Sequence, residues 1–258
     1  MIKNENEEDK LLIDKVLDKK YFAESKNKVA NTLFLNAREQ MLINKNVNLN
    51  NSFYYGVLPN AERKVLVFYP DKLTEELVKK KMEDIVSAIR ITLPNENKGK
   101  FEHKNYLSGL MKIGLERERI GDIIVTDDGA DIILISQNKE YTLSHLRDLT
   151  RFKKAKIEEI NLQDVHEKQD NFQDIQIIIP SMRIDNLVAE LARCSRTKAL
   201  EIIEEERVFI NYETIYKASR SVNIGDIITI RGKGKFIISE ELGSTRKDNI
   251  ILLVKKYS

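Results

Sequence analysis

Two short amphipathic helix patterns, followed by residues that favour strands, constrain the fold of this chain most strongly. The apolar positions recur at the spacing of one helix face: Ile184, Leu187, Val188 and Leu191 in the first pattern, Ala199 and Ile203 in the second. A serine stands before each pattern, Ser181 and Ser195, and a serine hydroxyl can cap the free amides of a helix start. The sequence therefore predicts two helices that open on serines and share one apolar seam.

Cations cluster at the predicted starts of these helices. Arg183 falls in the first turn of one helix, and Arg196 and Lys198 fall in the first turn of the other. The helix N-terminus carries roughly half a positive charge, so each cation there costs about 0.3 to 1 kcal/mol unless an anion joins it. A phosphate would convert that cost into a binding site, whereas a solvated helix surface is the alternative. We interpret the pattern as a nucleic-acid interface.

A second basic pattern follows in ITIRGKGKF. Residues alternate between the two faces of a strand, so a strand here would project Arg231, Lys233 and Lys235 from one face. The glycines between them weaken a strand, which is costly unless another backbone approaches closely or the segment bends. A phosphodiester backbone would be such a neighbour, and a flexible surface hairpin is the alternative. The pattern predicts a row of three cations that contact RNA.

Composition limits the classes of protein that remain. The chain has 258 residues, 41% hydrophobic and 33% charged, which suits two or three soluble domains. No apolar stretch approaches 18 residues and the N-terminus is acidic and polar, so we expect no membrane insertion and a cytoplasmic protein. One cysteine and three scattered histidines predict no disulfide, no metal site and no cofactor. With a net charge of only +2, binding of nucleic acid depends on local geometry.

Changes of pattern along the chain predict an α+β fold in several parts. Residues 1–63 read as a mainly helical region, with a second helix that starts near Asn36. Residues 64–160 alternate strands and helices, with a hairpin across Asp128-Gly129, and this order is typical of an RRM-like or ferredoxin-like α/β domain. Residues 161–180 form the predicted linker, because 161–174 are polar without apolar periodicity, and residues 181–258 form the last domain.

The last domain resembles the S4 RNA-binding domain, an αα-β module named after the fourth protein of the small ribosomal subunit. The resemblance rests on RID, SRTKAL, VFIN and SVNIGDIITIRG, in the order and spacing of that family. In the family the two helices and the adjoining loop bind structured RNA. The residues that match its motif are Arg183, Ser195, Arg196, Lys198 and Asn211. Two departures are Arg207 and Tyr212, since the family usually has glycine at both positions.

The whole chain resembles the YlmH-type bacterial proteins through NAREQ, NAERKVLVFYP, FEHKNYLSGLMKIGLERERIGDIIV, RGKGKF and STRKDN. The resemblance implies a cytosolic, non-enzymatic RNA-binding protein that associates with the ribosome, especially its large subunit, through rRNA or tRNA. It further implies a role in rescue or quality control of stalled translation, with a link to cell division, and we expect the free protein to be a monomer. A possible second RNA contact lies in its most distinctive stretch, where a charged helix surface is the alternative: His103, Lys104, Arg117 and Arg119.

Two other functions stay open at this point. S4 domains are often joined to RNA-modifying enzymes such as pseudouridine synthases, but about 100 residues is short for such a catalytic domain. No glycine-rich nucleotide loop follows a strand, and no aspartate motif resembles the synthase site. A scaffold that offers its basic face to an acidic division protein is the other alternative.

Overall fold

The structure is a computed structural model that describes residues 2–167 and 172–257. The chain forms two compact units, residues 1–168 and 169–258. No helix in the described part is both long enough and apolar enough to cross a membrane. Mixed helices and antiparallel sheets in both units confirm the predicted α+β class.

The first unit begins with a helical layer and a small sheet. Its elements are α1 (Ile2–Lys26), β1 (Ala30–Asn31), α2 (Ala37–Asn46), β2 (Ser52–Tyr55) and β3 (Val65–Phe68). Asn36 caps α2, since its side chain accepts from the amide of Glu39 while the Glu39 carboxylate accepts from the amide of Asn36. The predicted start of this helix is thus confirmed. The three strands form an antiparallel sheet in the order β1-β3-β2.

The sequence predicts a mainly helical region over residues 1–63, but strands β1 and β2 of the small sheet also lie there. Strand β3 pairs with β1 at Asn31↔Val67 and with β2 at Phe53↔Val67. The boundary at residue 63/64 therefore runs through one sheet. The helices, in turn, cover it: Val16 of α1 and Ile43 of α2 lie in one buried cluster with Leu66 and Phe68. The apolar face of α1 is buried against β3, which lies after residue 63, so residues 1–63 do not fold separately from the chain that follows.

A four-stranded antiparallel sheet completes the first unit. Its elements are α3 (Glu75–Lys79), β4 (Val86–Thr92), α4 (His103–Lys112), β5 (Ile120–Thr126), β6 (Gly129–Ile135), α5 (Lys139–His145) and β7 (Lys156–Ile160). The strand order is β5-β6-β4-β7, and the connection β4-α4-β5-β6-α5-β7 is that of a ferredoxin-like split sheet. The predicted RRM-like domain is confirmed, and β5 and β6 form the predicted hairpin.

Both faces of the four-stranded sheet are covered. On one face, Ile132 and Leu134 of β6 pack with Tyr106 of α4 and with Phe152. On the other face, Ile133 and Ile135 pack with residues of the small sheet and of the chain before it, including Phe34, Val65 and Val67. Strand β6 is buried along its whole length, and its run GADIILI is apolar except for Asp131, which suits a strand with two covered faces.

The second unit packs two helices on a six-stranded sheet. Its elements are β8 (Phe172–Ile179), α6 (Ile184–Ala192), α7 (Arg196–Glu204), β9 (Val208–Ile210), β10 (Glu213–Thr214), β11 (Ile227–Ile230), β12 (Gly234–Ser244) and β13 (Ile250–Tyr257). The order is β10-β9-β11-β12-β13-β8, with antiparallel pairing throughout. The predicted helical seam is buried against every second residue of the strands, including Ile228, Ile230 and Ile238.

The predicted linker, residues 161–180, mostly belongs to the two units. Residues 172–179 form β8, which pairs with β13 from Ile250↔Ile179 to Tyr257↔Phe172. Ile177 and Ile179 are buried in the core of the second unit, whereas His166 is bonded to Asp131 of the first unit. Residues 168–171 lie outside the described part of the chain. The polar stretch 161–174 contains only the first three residues of β8, and the partner strand β13 lies more than 70 residues away in sequence.

Candidate nucleic-acid interface

A buried aspartate in the first turn of α6 binds two arginines that the sequence predicts to contact RNA. The carboxylate of Asp185 is 1% exposed and accepts from Arg183 through Nε at 3.1 Å and Nη2 at 2.9 Å. It also accepts from Arg196, at the start of α7, through Nε at 3.2 Å and Nη2 at 2.8 Å. The Arg183 and Arg196 side chains remain 40% and 60% exposed. We call these three residues the Asp185 cluster.

The electrostatics of the Asp185 cluster correct one step of the sequence argument. Cations at the helix starts are not left without an anion, because Asp185 itself lies in the first turn of α6. Burial raises the pKa of Asp185, but hydrogen bonds from Arg183 and Arg196 outweigh burial and lower its pKa below the ordinary value. The carboxylate therefore stays ionised at neutral pH and holds both guanidinium groups side by side.

The two predicted serine caps have different outcomes. Ser195 caps α7, since its hydroxyl accepts from the amide of Lys198 at 3.2 Å. The residue at the N-cap of α6 is Arg183 and not Ser181, so Arg183 lies one position before the first turn. The Ser181 hydroxyl accepts instead from Nδ2 of Asn186 at 2.9 Å, because residue 181 is too far from the first turn to reach its amides.

Lys198 lies on the exposed side of α7, near the Asp185 cluster in sequence. Its Nζ bonds Glu201 at 2.6 Å, and the Lys198 side chain is 54% exposed. The hydrogen bond from Lys198 to Glu201 raises the pKa of the ammonium group, so the cation is retained well above neutral pH. A pair this exposed adds little stability and can open when a phosphate competes for the lysine.

Asn211 has a structural position in the turn between β9 and β10. Its Nδ2 donates to Asp226 at 2.7 Å, and its Oδ1 accepts from the amide of Ile227 at 2.9 Å. Asn211 and Tyr212 both have left-handed backbone angles, φ 49° and 68°, as a two-residue hairpin turn of this type requires. The glycine usual at the Tyr212 position of the family suits that φ. At the other departure, the left-handed residue is Glu206, not Arg207.

The predicted strand row Arg231, Lys233 and Lys235 is not a row on one strand. Residues 231–233 form the turn between β11 and β12, and only Lys235 lies in a strand. Gly232 has φ 82°, a left-handed angle that ends the extended backbone after β11. The three cations are instead spread over a turn and the strand that follows it. Their role in RNA binding stays a prediction.

The predicted second RNA contact, in the first unit, includes both surface residues and an arginine that points inward. Lys104 and His103 begin α4 on the surface, and Lys104 forms an exposed ion pair with Glu102 at 2.9 Å. Arg117 is directed inward, where Nη1 donates to the carbonyl of Ile120 at 2.8 Å. Burial, followed by the nearby Arg63, lowers the pKa of Arg117 to about 10.

Arg119 is the remaining residue of this second contact. It pairs with Glu116 at 3.0 Å and approaches Asn138 at 3.4 Å. Arg117 thus supports the chain around β5, whereas Lys104, His103 and Arg119 remain candidates for the surface. The RRM-like sheet itself has both faces covered, so within residues 2–167 it presents no open aromatic platform.

Comparison with known families decides the family. Residues 77–164 match the model of the putative RNA-binding domain in YlmH, and residues 182–228 match the model of the S4 domain. The chain is a YlmH-family protein. The first match spans α3 to β7, which includes the ferredoxin-like sheet of the first unit. The second begins one residue before Arg183 and ends within β11, so it contains the Asp185 cluster.

One relative and one solved structure are also similar to this chain. The ribosome-associated protein quality control protein P2 of Bacillus subtilis (strain 168) is 25% identical over 248 residues, which covers 93% of this YlmH-family chain and 92% of the relative. A solved structure, the cell division protein ylmH from Streptococcus pneumoniae, is 21% identical with a TM-score of 0.48. It covers 62% of this chain and 95% of its own.

Sequence reasoning missed the residue that organises the site. Asp185 is the last residue of the RID motif, but its position in the sequence alone indicates no role. The available signal was an acidic residue two positions after an arginine, at a helix start that carries cations.

Proposed function

We propose that this YlmH-family chain is a non-enzymatic RNA-binding protein that associates with the ribosome and acts in quality control of stalled translation. The bound RNA is rRNA or tRNA, and the ribosomal contact is on the large subunit. The compartment is the cytoplasm, and the free protein is a monomer. The relative that aligns over 93% of the chain is named for ribosome-associated quality control. One matched family model is described as a putative RNA-binding domain, and the other is the S4 domain. The observation that carries the proposal is the Asp185 cluster.

The Asp185 cluster has the chemistry of a phosphate site. A guanidinium carries five N–H donors, and Asp185 engages only Nε and Nη2 of each arginine. Among the described residues, none accepts a hydrogen bond from Nη1 of Arg183 or of Arg196. Two fixed guanidinium groups and the exposed Lys198 therefore offer three cations to a phosphate backbone with little loss of side-chain freedom.

Salt dependence tests whether phosphates carry the affinity. Four to six phosphate contacts, from the cluster, Lys198 and the cations near β12, predict a slope of roughly −3 to −5 for log affinity against log salt concentration. The measurement is fluorescence anisotropy of the full chain with a labelled fragment of large-subunit rRNA at several salt concentrations. A nearly flat slope contradicts phosphate binding as the main source of affinity.

Charge reversal tests the location of the site. We expect Arg196→Glu plus Lys198→Glu to reduce co-sedimentation with ribosomes at least tenfold, because two phosphate contacts are replaced by repulsion. The matched control is Lys153→Glu plus Lys154→Glu, two exposed lysines of the first unit that give the same change in net charge.

Equal loss of co-sedimentation in the two variants would assign the effect to net charge and not to the S4 domain. Retained binding in both would place the interface elsewhere on the chain. Treatment of the sediment with RNase separates association through RNA from association through protein.

A further inference from the structure

The sheet of the second unit has an outer face, opposite the helices, that carries aromatic rings beside cations. Alternation along each strand directs Ile228, Ile230, Phe236 and Val254 to the core under α6 and α7. The residues between them point to the other face and are half-buried: Phe209, Thr229, Lys235, Tyr257 and Phe172. This set, here called the aromatic row, belongs to five different strands.

The aromatic row crosses the sheet nearly at right angles to the strands. Thr229 is the register partner of both Phe209 in β9 and Lys235 in β12. Tyr257 in β13 is the register partner of Phe172 in β8, and their rings meet edge to face at 4.8 Å between centroids. Four inter-strand steps of about 4.8 Å give the row a length of roughly 19 Å.

Cations stand over three of the rings. Nζ of Lys235 lies 4.3 Å from the centroid of Tyr257, and the Arg231 guanidinium carbon lies 4.7 Å from the centroid of Phe209. Lys255 lies 5.9 Å from Phe172, with Asp174 as its register partner on β8, so one carboxylate offsets part of its charge. Such contacts are electrostatic attractions to the ring face. A base that stacks on the same face must therefore displace the long, flexible cation, which then lies close to the phosphate of that nucleotide.

Rings beside cations fit a single-stranded nucleic acid better than a duplex. An unpaired base has a π face that stacks on an aromatic side chain, and its phosphate needs a cation within a few ångströms. RRM sheets use the same principle and stack about two or three bases across four strands. In this chain the RRM-like sheet is covered on both faces, whereas the six-stranded sheet keeps its outer face accessible.

We propose that the aromatic row, with Arg231 and Lys255, is a second RNA site that stacks the bases of a short single-stranded RNA segment. The inference rests on the proposed function, in that the second unit is taken to bind RNA. It adds a different substrate class, unpaired nucleotides, on a face separate from the Asp185 cluster. In this site Arg231 and Lys235 can both contact phosphates, although Arg231 lies in a turn and Lys235 lies in β12.

The test uses the full chain and a labelled 12-nucleotide oligouridylate, with binding followed by fluorescence anisotropy. We expect Phe209→Leu plus Tyr257→Leu to weaken binding at least tenfold, since each stacked base loses its ring. The matched control is Tyr257→Phe, which keeps the ring and should change affinity by less than twofold. Binding by the leucine variant that equals the parent chain overturns the inference.

Photocrosslinking supplies a readout that needs no variant. An oligouridylate with 5-iodouridine should crosslink to peptides that contain Phe209, Tyr257 or Phe172, and crosslinks confined to α6 and α7 overturn the inference. If the leucine variant keeps its affinity while a protein crosslinks to this face in cells, the face is a protein-docking surface and the RNA site is wrong.

The two proposals fail separately. If Arg196→Glu plus Lys198→Glu abolishes co-sedimentation with ribosomes while removal of the rings does not change oligouridylate binding, the proposed function stands and the aromatic site is wrong. If removal of the rings weakens oligouridylate binding while the charge reversal does not change ribosome binding, the aromatic site stands and the Asp185 cluster is not the ribosomal contact.

Discussion

Replacement of both arginines of the Asp185 cluster, Arg183→Ala plus Arg196→Ala, is expected to destabilise the second unit by about 3 kcal/mol. Asp185 is 1% exposed, so the double variant leaves a buried carboxylate without either of its cationic partners. An uncompensated buried charge costs about 3 to 5 kcal/mol, and the lower value applies because the amide of Asn186 still donates to Asp185 at 3.0 Å. Hydrogen exchange of β9 and β11 amides against urea concentration measures the change in this unit alone.

A third substitution separates the structural and RNA-binding roles of these arginines. Asp185→Asn, added to the double variant, removes the buried charge and should recover at least about 1 kcal/mol of the lost stability. RNA affinity should stay low, because the two cations are still missing. Glu205→Ala is the control for an exposed ion pair, and it should leave the stability of the second unit nearly unchanged. A double variant within 1 kcal/mol of the parent chain would show that Asp185 does not depend on the arginines.

The sequence predicted those parts of the fold whose signals are local. The apolar spacing of Ile184, Leu187 and Val188 sets one helix face, and the order of strands and helices after residue 64 specifies the ferredoxin-like connection. A turn signal at Asp128-Gly129 is likewise contained in a few residues. Local patterns of this kind persist in the folded chain because neighbouring residues decide them.

The sequence did not predict features that depend on distant partners. Strand β8 is a strand because it pairs with β13, and β1 and β2 are strands because they pair with β3. In the same way, Asp185 becomes the centre of a site only when α7 brings Arg196 against α6. A period of two residues also cannot show where a strand stops. Strand β11 ends at Ile230, before the first cation of the predicted row, and Gly232 in the turn that follows has a left-handed φ.

The first unit contains a comparable buried charge, and Arg90→Ala is expected to destabilise it by about 3 kcal/mol. The Asp131 side chain is 1% exposed and accepts from Nε and Nη2 of Arg90 at 2.7 and 2.8 Å. Arg90 and Asp131 are register partners in β4 and β6, so their pair ties the central strands together. His166 adds its amide at 2.8 Å and its Nδ1 at 2.7 Å, which leaves Asp131 partly satisfied in the variant.

The pH dependence of this loss distinguishes a buried charge from a loss of packing. In the parent chain, burial raises the pKa of Asp131, but hydrogen bonds from Arg90 and His166 outweigh burial and lower the pKa below the ordinary 3.8. The carboxylate therefore contributes stability that is fully present above about pH 4 and is lost as pH falls through the lowered pKa. Without Arg90, only the hydrogen bonds from His166 oppose the effect of burial, so the pKa of Asp131 should be higher in the variant than in the parent chain.

The difference in stability between the parent chain and Arg90→Ala should accordingly be largest near pH 7 and shrink as pH approaches 4. Urea unfolding of β4 and β6, followed by hydrogen exchange at both pH values, measures it. Lys154→Ala is the matched control, since its exposed pair with Glu96 should contribute little stability at either pH. A loss that is equal at both pH values would assign the effect of Arg90 to packing of its aliphatic stem, because packing does not titrate with Asp131.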